Sequence, residues 1–267
     1  RFMKPTNLDE SFHLKILKEA LLRAIDDIDA TFSKASYRNN LHSGTTATVI
    51  LLADGQFLVA NIGDSKALLC SHTFLSPAEA KATLLRIYTE QMRNGAVSPL
   101  RDKYSKLKTS DGVAHFMFKE LTRDHHPDIE DERLRVEATG GYVVEVGGVA
   151  RVNGQLAVSR AIGDVSYKRG AIQFYLTTNW QPLTANDTFL VAASDGVFEK
   201  LSLQDACDLL LEAQNHDPIG SGPSFACSYS LAECLVNTAL KKGSMDNVAA
   251  VVVPLNSTNF SPNLLKE

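Results

Sequence analysis

Apolar residues recur at three- and four-residue spacing through positions 9–32, at Phe12, Ile16, Leu17, Leu21, Ala24, Ile25, Ile28 and Phe32. That spacing predicts an amphipathic helix. Asn7 or Asp9 caps it, Lys15, Lys18 and Arg23 take the outer face, and Tyr37-Arg38-Asn39-Asn40 breaks it. The pattern changes at Ser43. Positions 46–52 are β-branched and apolar, Asp54-Gly55 follows, and a second such run covers 57–62. Two runs around Asp-Gly predict a hairpin. A third run, 66–70, follows Gly63-Asp64-Ser65, so the expectation is an antiparallel meander. Ser76-Pro77-Ala78-Glu79 has the form of a helix start, and that helix is expected over 76–94. Positions 96–118 are polar and irregular and are read as a surface insertion. Further on, the pattern predicts a charged helix over 127–138 and short strands over 142–145 and 155–158. A nearly continuous apolar run at 188–193 reads as a buried strand. Helices are expected over 202–213, capped by Ser202, and over 224–241, stopped by Gly243. A last strand covers 248–253, and the tail after Pro254 is expected to fray. Strands early, helices late and a closing strand give an α+β class with antiparallel sheets and helices outside. With no internal repeat and no linker, the reading is one domain over 1–267, carrying an insertion at 71–119 and a frayed tail at 255–267.

Composition narrows the function classes. The 267 residues hold 27 Lys+Arg against 31 Asp+Glu, a formal net charge of −4, and 44% are hydrophobic. This excludes a disordered or collagen-like chain. The mild acidity argues against a nucleic-acid binder. No apolar run approaches the roughly 18–20 residues of a membrane helix. A monomer with no membrane segment in this stretch is expected. Cys70, Cys207, Cys227 and Cys234 form no C-x-x-C pair and no zinc-finger spacing. They read as buried thiols of a reducing compartment, which favours an intracellular location, cytoplasm or nucleus. Two short glycosylation sequons, at Asn186 and Asn256, do not fix a compartment.

Three carboxylates sit where chemistry is plausible. Asp195, in Ser194-Asp195-Gly196, follows the buried run at 188–193. A carboxylate there has a rigid base, and the glycine after it lets another group approach the backbone. Asp246, in Asp246-Asn247, precedes the closing strand. If those two strands are adjacent and antiparallel, the end of one lies beside the start of the other, and the two carboxylates share an oxygen-rich site. Asp64, in Gly63-Asp64-Ser65, would bring a third to the same rim. Each also reads as ordinary turn chemistry. An all-carboxylate site suits Mg²⁺ or Mn²⁺ rather than zinc or copper. Asp124, His125, His126 and Asp128 form a dense local group, but adjacent histidines point apart and no matching pair lies nearby. Loop or capping roles are expected there. Phosphate-loop, dinucleotide-fold, nucleophile-elbow and kinase motifs are absent.

Together the segments resemble the protein phosphatase 2C family. The resemblance rests on Ser43-Gly44-Thr45-Thr46-Ala47 and on Val59-Ala60-Asn61-Ile62-Gly63-Asp64-Ser65-Lys66-Ala67. It continues in Leu121-Thr122-Arg123-Asp124-His125 with Pro127, and in Glu132-Arg133 leading to Gly140-Gly141. The longest motif is Arg151-Val152-Asn153-Gly154-Gln155-Leu156-Ala157-Val158-Ser159-Arg160-Ala161-Ile162-Gly163-Asp164. Ala193-Ser194-Asp195-Gly196-Val197-Phe198 and Ser244-Met245-Asp246-Asn247 complete the set. The resemblance implies two antiparallel β-sheets packed face to face with helices on both outer sides, an α-β-β-α sandwich. It implies a protein serine/threonine phosphatase with two Mg²⁺ or Mn²⁺ ions and a phosphoprotein substrate. The ions would activate a water for in-line attack on phosphoserine or phosphothreonine. By position Asp195 and Asp246 match metal ligands, Asp64 matches an Asp associated with a third, looser metal, and Arg151 and Asp164 match supporting residues.

The resemblance also implies an Asp-Gly-His-Gly segment before the first long helix, and nothing before that helix matches it. Asp111-Gly112-Val113-Ala114-His115 differs in position and setting. Positions 170–179 also lack the family's usual strand and Pro-Glu pair. The expectation is an N-terminally incomplete fold holding half a metal site. The alternative is a catalytically inactive pseudophosphatase or truncated fragment acting as a protein-binding module.

Overall fold

The structure, a computed structural model, describes residues 12–75, 108–109, 112–168, 179–215 and 230–255. Helix α1 spans Phe12–Asn39. It runs past the expected end at 32 and stops within the expected breaking stretch, where Asn40 takes a left-handed φ of 51°. Its buried face differs from the expected one. Phe12, Ile16 and Ile28 are exposed, while Leu14 and Ile25 are buried and continued by the polar Asp29 and Ser36. The polar pair explains the difference, since an apolar-only reading cannot see a face that finishes in hydrogen bonds. Asp29 accepts from the Gly163 N–H at 2.9 Å and pairs with Lys168, and Ser36 donates to the Leu41 carbonyl at 2.5 Å.

The short β1 (Gly44–Thr45) leads to β2 (Ala47–Ala53) and β3 (Gln56–Ile62), which form the expected hairpin. Asp54 and Gly55 both have positive φ, 49° and 68°, as a tight hairpin turn requires. The meander then breaks off. Strand β4 (Lys66–Leu75) pairs with no strand of the hairpin and enters a second sheet. Gly63, at φ 100°, makes the exit, and a Cβ there would come within 2.2 Å of Thr46 Cγ2. The physical reason is that β4 is apolar on both faces. Ala67 and Leu69 face one core, Leu68 and Cys70 the other, so the strand belongs inside a sheet covered on both sides.

The expected insertion is also corrected at its flanks. Strand β5 (Lys108–Thr109) pairs with β6 (Gly112–Glu120), and β6 pairs with β4 from Leu68↔Glu120 to Leu75↔Val113. A strand whose ladder comes from a neighbour needs no strong apolar run of its own. The helix expected over 76–94 lies outside the described residues. Helix α2 (Glu130–Ala138) follows, then β7 (Val143–Val146) and β8 (Val149–Val152), joined by Gly147-Gly148 at φ 62° and 82°. That Gly-Gly hairpin replaces the strand expected at 155–158, of which only a Val152↔Leu156 bridge exists.

Strand β9 (Ile162–Gly163) pairs with β1, and β10 (Gln181–Pro182) extends the hairpin sheet to β10-β3-β2. Strand β11 (Asp187–Ala193) leads into the single turn α3 (Asp195–Phe198), and then come α4 (Leu203–Asn215), α5 (Leu231–Lys241) and β12 (Ala250–Pro254). Ser202 Oγ accepts from the Asp205 N–H at 3.1 Å as the expected cap of α4. Ser230 and Glu233 form a capping box on α5. The part of the expected helix before residue 230, at 224–229, lies outside the described residues.

The second sheet runs β12-β11-β4-β6-β5. Its inner face meets the hairpin sheet through Phe57, Val59, Ala67, Leu69 and Leu190. Its outer face packs Leu68, Phe189 and Val191 on Ala206, Leu210, Leu235 and Ala239 of α4 and α5. Across the hairpin sheet, Leu58, Ala60 and Ile62 meet α1. The order α1, sheet, sheet, α4 with α5 is the expected α-β-β-α sandwich. One expectation inside it fails. Cys70 and Cys207 are joined by a disulfide between β4 and α4, and among the described residues no cysteine is a free thiol.

Leu190 is fully buried between the two sheets. Leu190→Ala should cost about 2–5 kcal/mol of unfolding free energy by the cavity it leaves. Met245→Ala, at a side chain 94% exposed, should stay within about 0.5 kcal/mol. Urea unfolding of both variants measures this.

Candidate metal centre

β11 and β12 pair antiparallel with Ala193 opposite Ala250. The chain leaving β11 therefore runs beside the chain entering β12, and Asp195 meets Asp246. Several hydrogen bonds fix the crossing. The Ser194 N–H donates to the Ala249 carbonyl at 3.0 Å, and Ser194 Oγ donates to the Asn247 carbonyl at 3.1 Å. Ser244 Oγ donates to the Gly196 carbonyl at 2.8 Å. Gly196 is required by crowding, because a Cβ there would stand 2.5 Å from the Asn247 carbonyl oxygen. Backbone N–H groups also orient the carboxylates. Gly196 donates to Asp195 Oδ1 at 2.8 Å and Asn247 donates to Asp246 Oδ1 at 2.6 Å.

Asp64 arrives from the other sheet, one residue past the Gly63 exit. Asp64, Asp195 and Asp246 border one cleft of about 260 Å³, together with Lys66, Asp124 and His126. A second cavity, of about 290 Å³ near Ser36, Tyr37 and His42, has no carboxylate in its lining and lacks this chemistry.

The electrostatics match a gathering of like charge. The Asp195 carboxyl is raised above its ordinary range, first by partial burial and then by the fields of Asp64 and Asp246. The Gly196 N–H and His126 oppose that rise. Burial alone would lower Lys66, but hydrogen bonds to Asp124 and Glu120, the latter at 2.8 Å, hold it above its ordinary value. Its charge is thereby committed to the Asp124 and Glu120 side of the cleft.

The loop that carries His126 is anchored from behind. His125 Nδ1 accepts from the Gly63 N–H at 3.0 Å, the His125 N–H donates to the Gly63 carbonyl at 3.0 Å, and the Ser159 N–H donates to the His125 carbonyl at 2.8 Å. Burial, helped by Arg160, pushes His125 down to about 4, so its ring is neutral. Under it lies Glu132, which accepts from Ser159 Oγ at 2.5 Å, from Arg135 Nη2 at 2.8 Å and from Arg160. Burial alone would raise Glu132, but these donors bring it down to about 2.

The other sequence candidates lie elsewhere. Arg151, on β8, donates from Nη1 to the Gln155 carbonyl at 2.6 Å. Asp164 is buried at a left-handed φ of 49°, with its carboxylate in the space that a Cβ on Gly44 would fill. Neither borders the cleft. Asp124 and His126 do, although the sequence pointed them to loop roles. The available signal was the two-residue alternation of an extended loop, which puts His126 opposite the inward His125.

Carboxylates from three segments, with oxygen donors aimed at one cleft, suit a hard divalent cation. Among the described residues no three such groups are already drawn to coordinating distance. The donor chemistry fits.

Two antiparallel sheets packed face to face, with helices on both outer sides, carry these three carboxylates to one rim. The sequence pattern described as "Protein phosphatase 2C" matches residues 4–74 and 107–248. The chain is 60% identical over 252 residues to "Putative protein phosphatase 2C 50" of Arabidopsis thaliana, covering 94% of this chain and 60% of that protein. It is 31% identical over 245 residues to the "Integrin-linked kinase-associated serine/threonine phosphatase 2C" of Homo sapiens, covering 90% and 52%. The solved serine-threonine phosphatase 2C from Toxoplasma gondii shares the fold, with TM-score 0.65 at 19% identity over 93% of this chain and 72% of that one. The chain therefore belongs to the protein phosphatase 2C family, whose members are metal-dependent. It spans 60% and 52% of the length of these two curated relatives.

Two outcomes follow from the charges. The unfolded chain protonates His125 near 6.5, while the folded chain resists until about 4. That stability contribution is complete above pH 6.5 and is lost as pH falls toward 4. Urea midpoints measured between those limits should fall, with proton uptake on unfolding, and His125→Asn should flatten the slope. Asp195 has the opposite sign, since a raised carboxyl pKa means its charge opposes folding at neutral pH. Asp195→Asn should therefore raise the melting temperature in EDTA.

Proposed function

We propose that the protein is a metal-dependent serine/threonine phosphatase acting on phosphoserine and phosphothreonine in protein substrates. Its Mg²⁺ or Mn²⁺ ions are held by Asp195 and Asp246, with Asp64 holding a further, looser ion. The observation that carries this reading is the meeting of the three carboxylates at one cleft, where partial burial and then the fields of the other two raise the Asp195 carboxyl. When bound, such ions supply a water of lowered pKa and neutralise phosphoryl oxygens.

The chain's own residues orient and support. The Gly196 and Asn247 N–H groups hold one oxygen each of Asp195 and Asp246. Ser194 and Ser244 tie the two loops together, so the carboxylates keep their relative placement when a substrate arrives. Asp195 and Asp246 are exposed enough for a phosphorylated side chain to reach them from solvent. Arg151 and Asp164 act at a distance, the first closing the turn after β8 and the second seating the chain against Gly44.

The test is hydrolysis of a phosphothreonine peptide by the full-length protein with Mn²⁺. Asp195→Asn should lower kcat/KM by at least about 100-fold, and EDTA should abolish activity. A folded protein that binds Mn²⁺ but leaves the peptide intact would overturn the catalytic reading in favour of phosphoprotein binding.

A further inference from the structure

Two histidines stand side by side before α2, and their rings go opposite ways. His125 turns inward and is clamped to Gly63 by a reciprocal pair of hydrogen bonds, each 3.0 Å. Asp64 follows Gly63 and His126 follows His125. The clamp therefore brings Asp64 and His126 together, with His126 Nε2 4.0 Å from Asp64 Oδ2. The His126 ring borders the same cleft as Asp195 and Asp246, and its field reaches the Asp195 carboxyl. The neighbouring cation, Lys66, is engaged by Asp124 and Glu120.

We propose that His126 is a nitrogen ligand of the metal centre and biases it toward Mn²⁺ over Mg²⁺, an inference that rests on the metal-holding reading of Asp64, Asp195 and Asp246. The spacing is compatible with a shared ion. Two donors bound at about 2.1 Å in octahedral geometry stand about 3.0 Å apart when adjacent and about 4.2 Å apart when opposite. The 4.0 Å separation of Nε2 and Oδ2 lies close to the second value. The chemistry gives the preference. Mg²⁺ takes oxygen donors and yields its waters reluctantly, whereas imidazole nitrogen suits transition-metal ions. A rim of carboxylates alone discriminates little between Mg²⁺ and Mn²⁺, and one imidazole shifts the balance. The clamp on His125 supplies preorganisation, because the His126 backbone is already set beside Asp64 before any ion arrives.

The experiment loads the chain with Mn²⁺ alone and records electron spin-echo modulation with isotopically labelled histidine. A directly coordinated imidazole nitrogen is expected. The signal should vanish in His126→Gln and persist in His42→Gln. Calorimetry of Mn²⁺ and Mg²⁺ binding should show the affinity ratio falling about tenfold in His126→Gln. The His126 side chain is 38% exposed, so the substitution should leave the fold intact, with circular dichroism and His126→Asn as checks. Mn²⁺ bound in an Asp195-dependent manner without nitrogen coupling, or with coupling that survives His126→Gln, overturns the inference and leaves the phosphatase reading standing. An unchanged affinity ratio overturns the selectivity. Failure of the wild-type chain to bind Mn²⁺ removes the inference together with the proposed metal centre.

Discussion

Strand β11 is hydrogen-bonded on both edges and buried on both faces, and the site depends on that confinement. Phe189, Val191 and Ala193 pack toward α4 and α5, while Leu190 packs toward the hairpin sheet. A slip of one residue would exchange the two sets and send each into the wrong core. The register with β12 is held just as firmly, so the place where the chain leaves β11 is fixed against the place where it enters β12. Asp195 and Asp246 inherit their proximity from that register. Gly196 adds a local condition, since only a residue without Cβ lets the Asn247 carbonyl pass so close.

Asp64 reaches the same cleft by another route. It stands on the crossing from one sheet to the other, and its position is set by the Gly63–His125 pair rather than by a ladder. Behind that pair, Glu132 gathers Ser159, Arg135 and Arg160, and Ser159 in turn bonds the His125 backbone. A buried carboxylate satisfied by several donors is a stiff support. The cleft thus has a hydrophobic mounting on one side and a polar one on the other. Such rigidity is useful where like charges must be kept together against their own repulsion.

Much of this could be read along the chain, for identifiable reasons. The hairpin at Asp54-Gly55 and the strand-end placement of Asp195 and Asp246 follow from local rules of turn chemistry and apolar alternation. The α-β-β-α arrangement was implied by the family motifs rather than by periodicity. The exit of β4 from the hairpin is not legible, because local pattern does not say which neighbour a strand will choose. The flanks of the expected insertion are illegible for the same reason, as β6 takes its ladder from β4. The packing face of α1 is hidden from apolar periodicity because it ends in Asp29 and Ser36, polar residues that only a distant partner makes sense of. His126 carries little local signal because its place at the cleft arises from a clamp between segments far apart in sequence. The Cys70–Cys207 bond has no signature in the cysteine spacing, because spacing alone cannot place β4 against α4.

The bond between Cys70 and Cys207 turns about half of the polypeptide into a covalent ring, with 137 residues of sequence separation between its ends. Asp195 lies within the ring, whereas Asp64 lies on the tail before it and Asp246 on the tail after it. When the oxidised protein unfolds, it opens into a loop with two arms rather than a free line. Restricting that loop lowers the entropy of the unfolded chain by an amount worth up to about 5 kcal/mol in the chain-entropy account. Reduction would release the restriction without touching any atom that lines the carboxylate cleft. The three carboxylates would then have to find one another from a more expanded ensemble, so the redox state of two core sulfurs bears on how readily the site reassembles after unfolding.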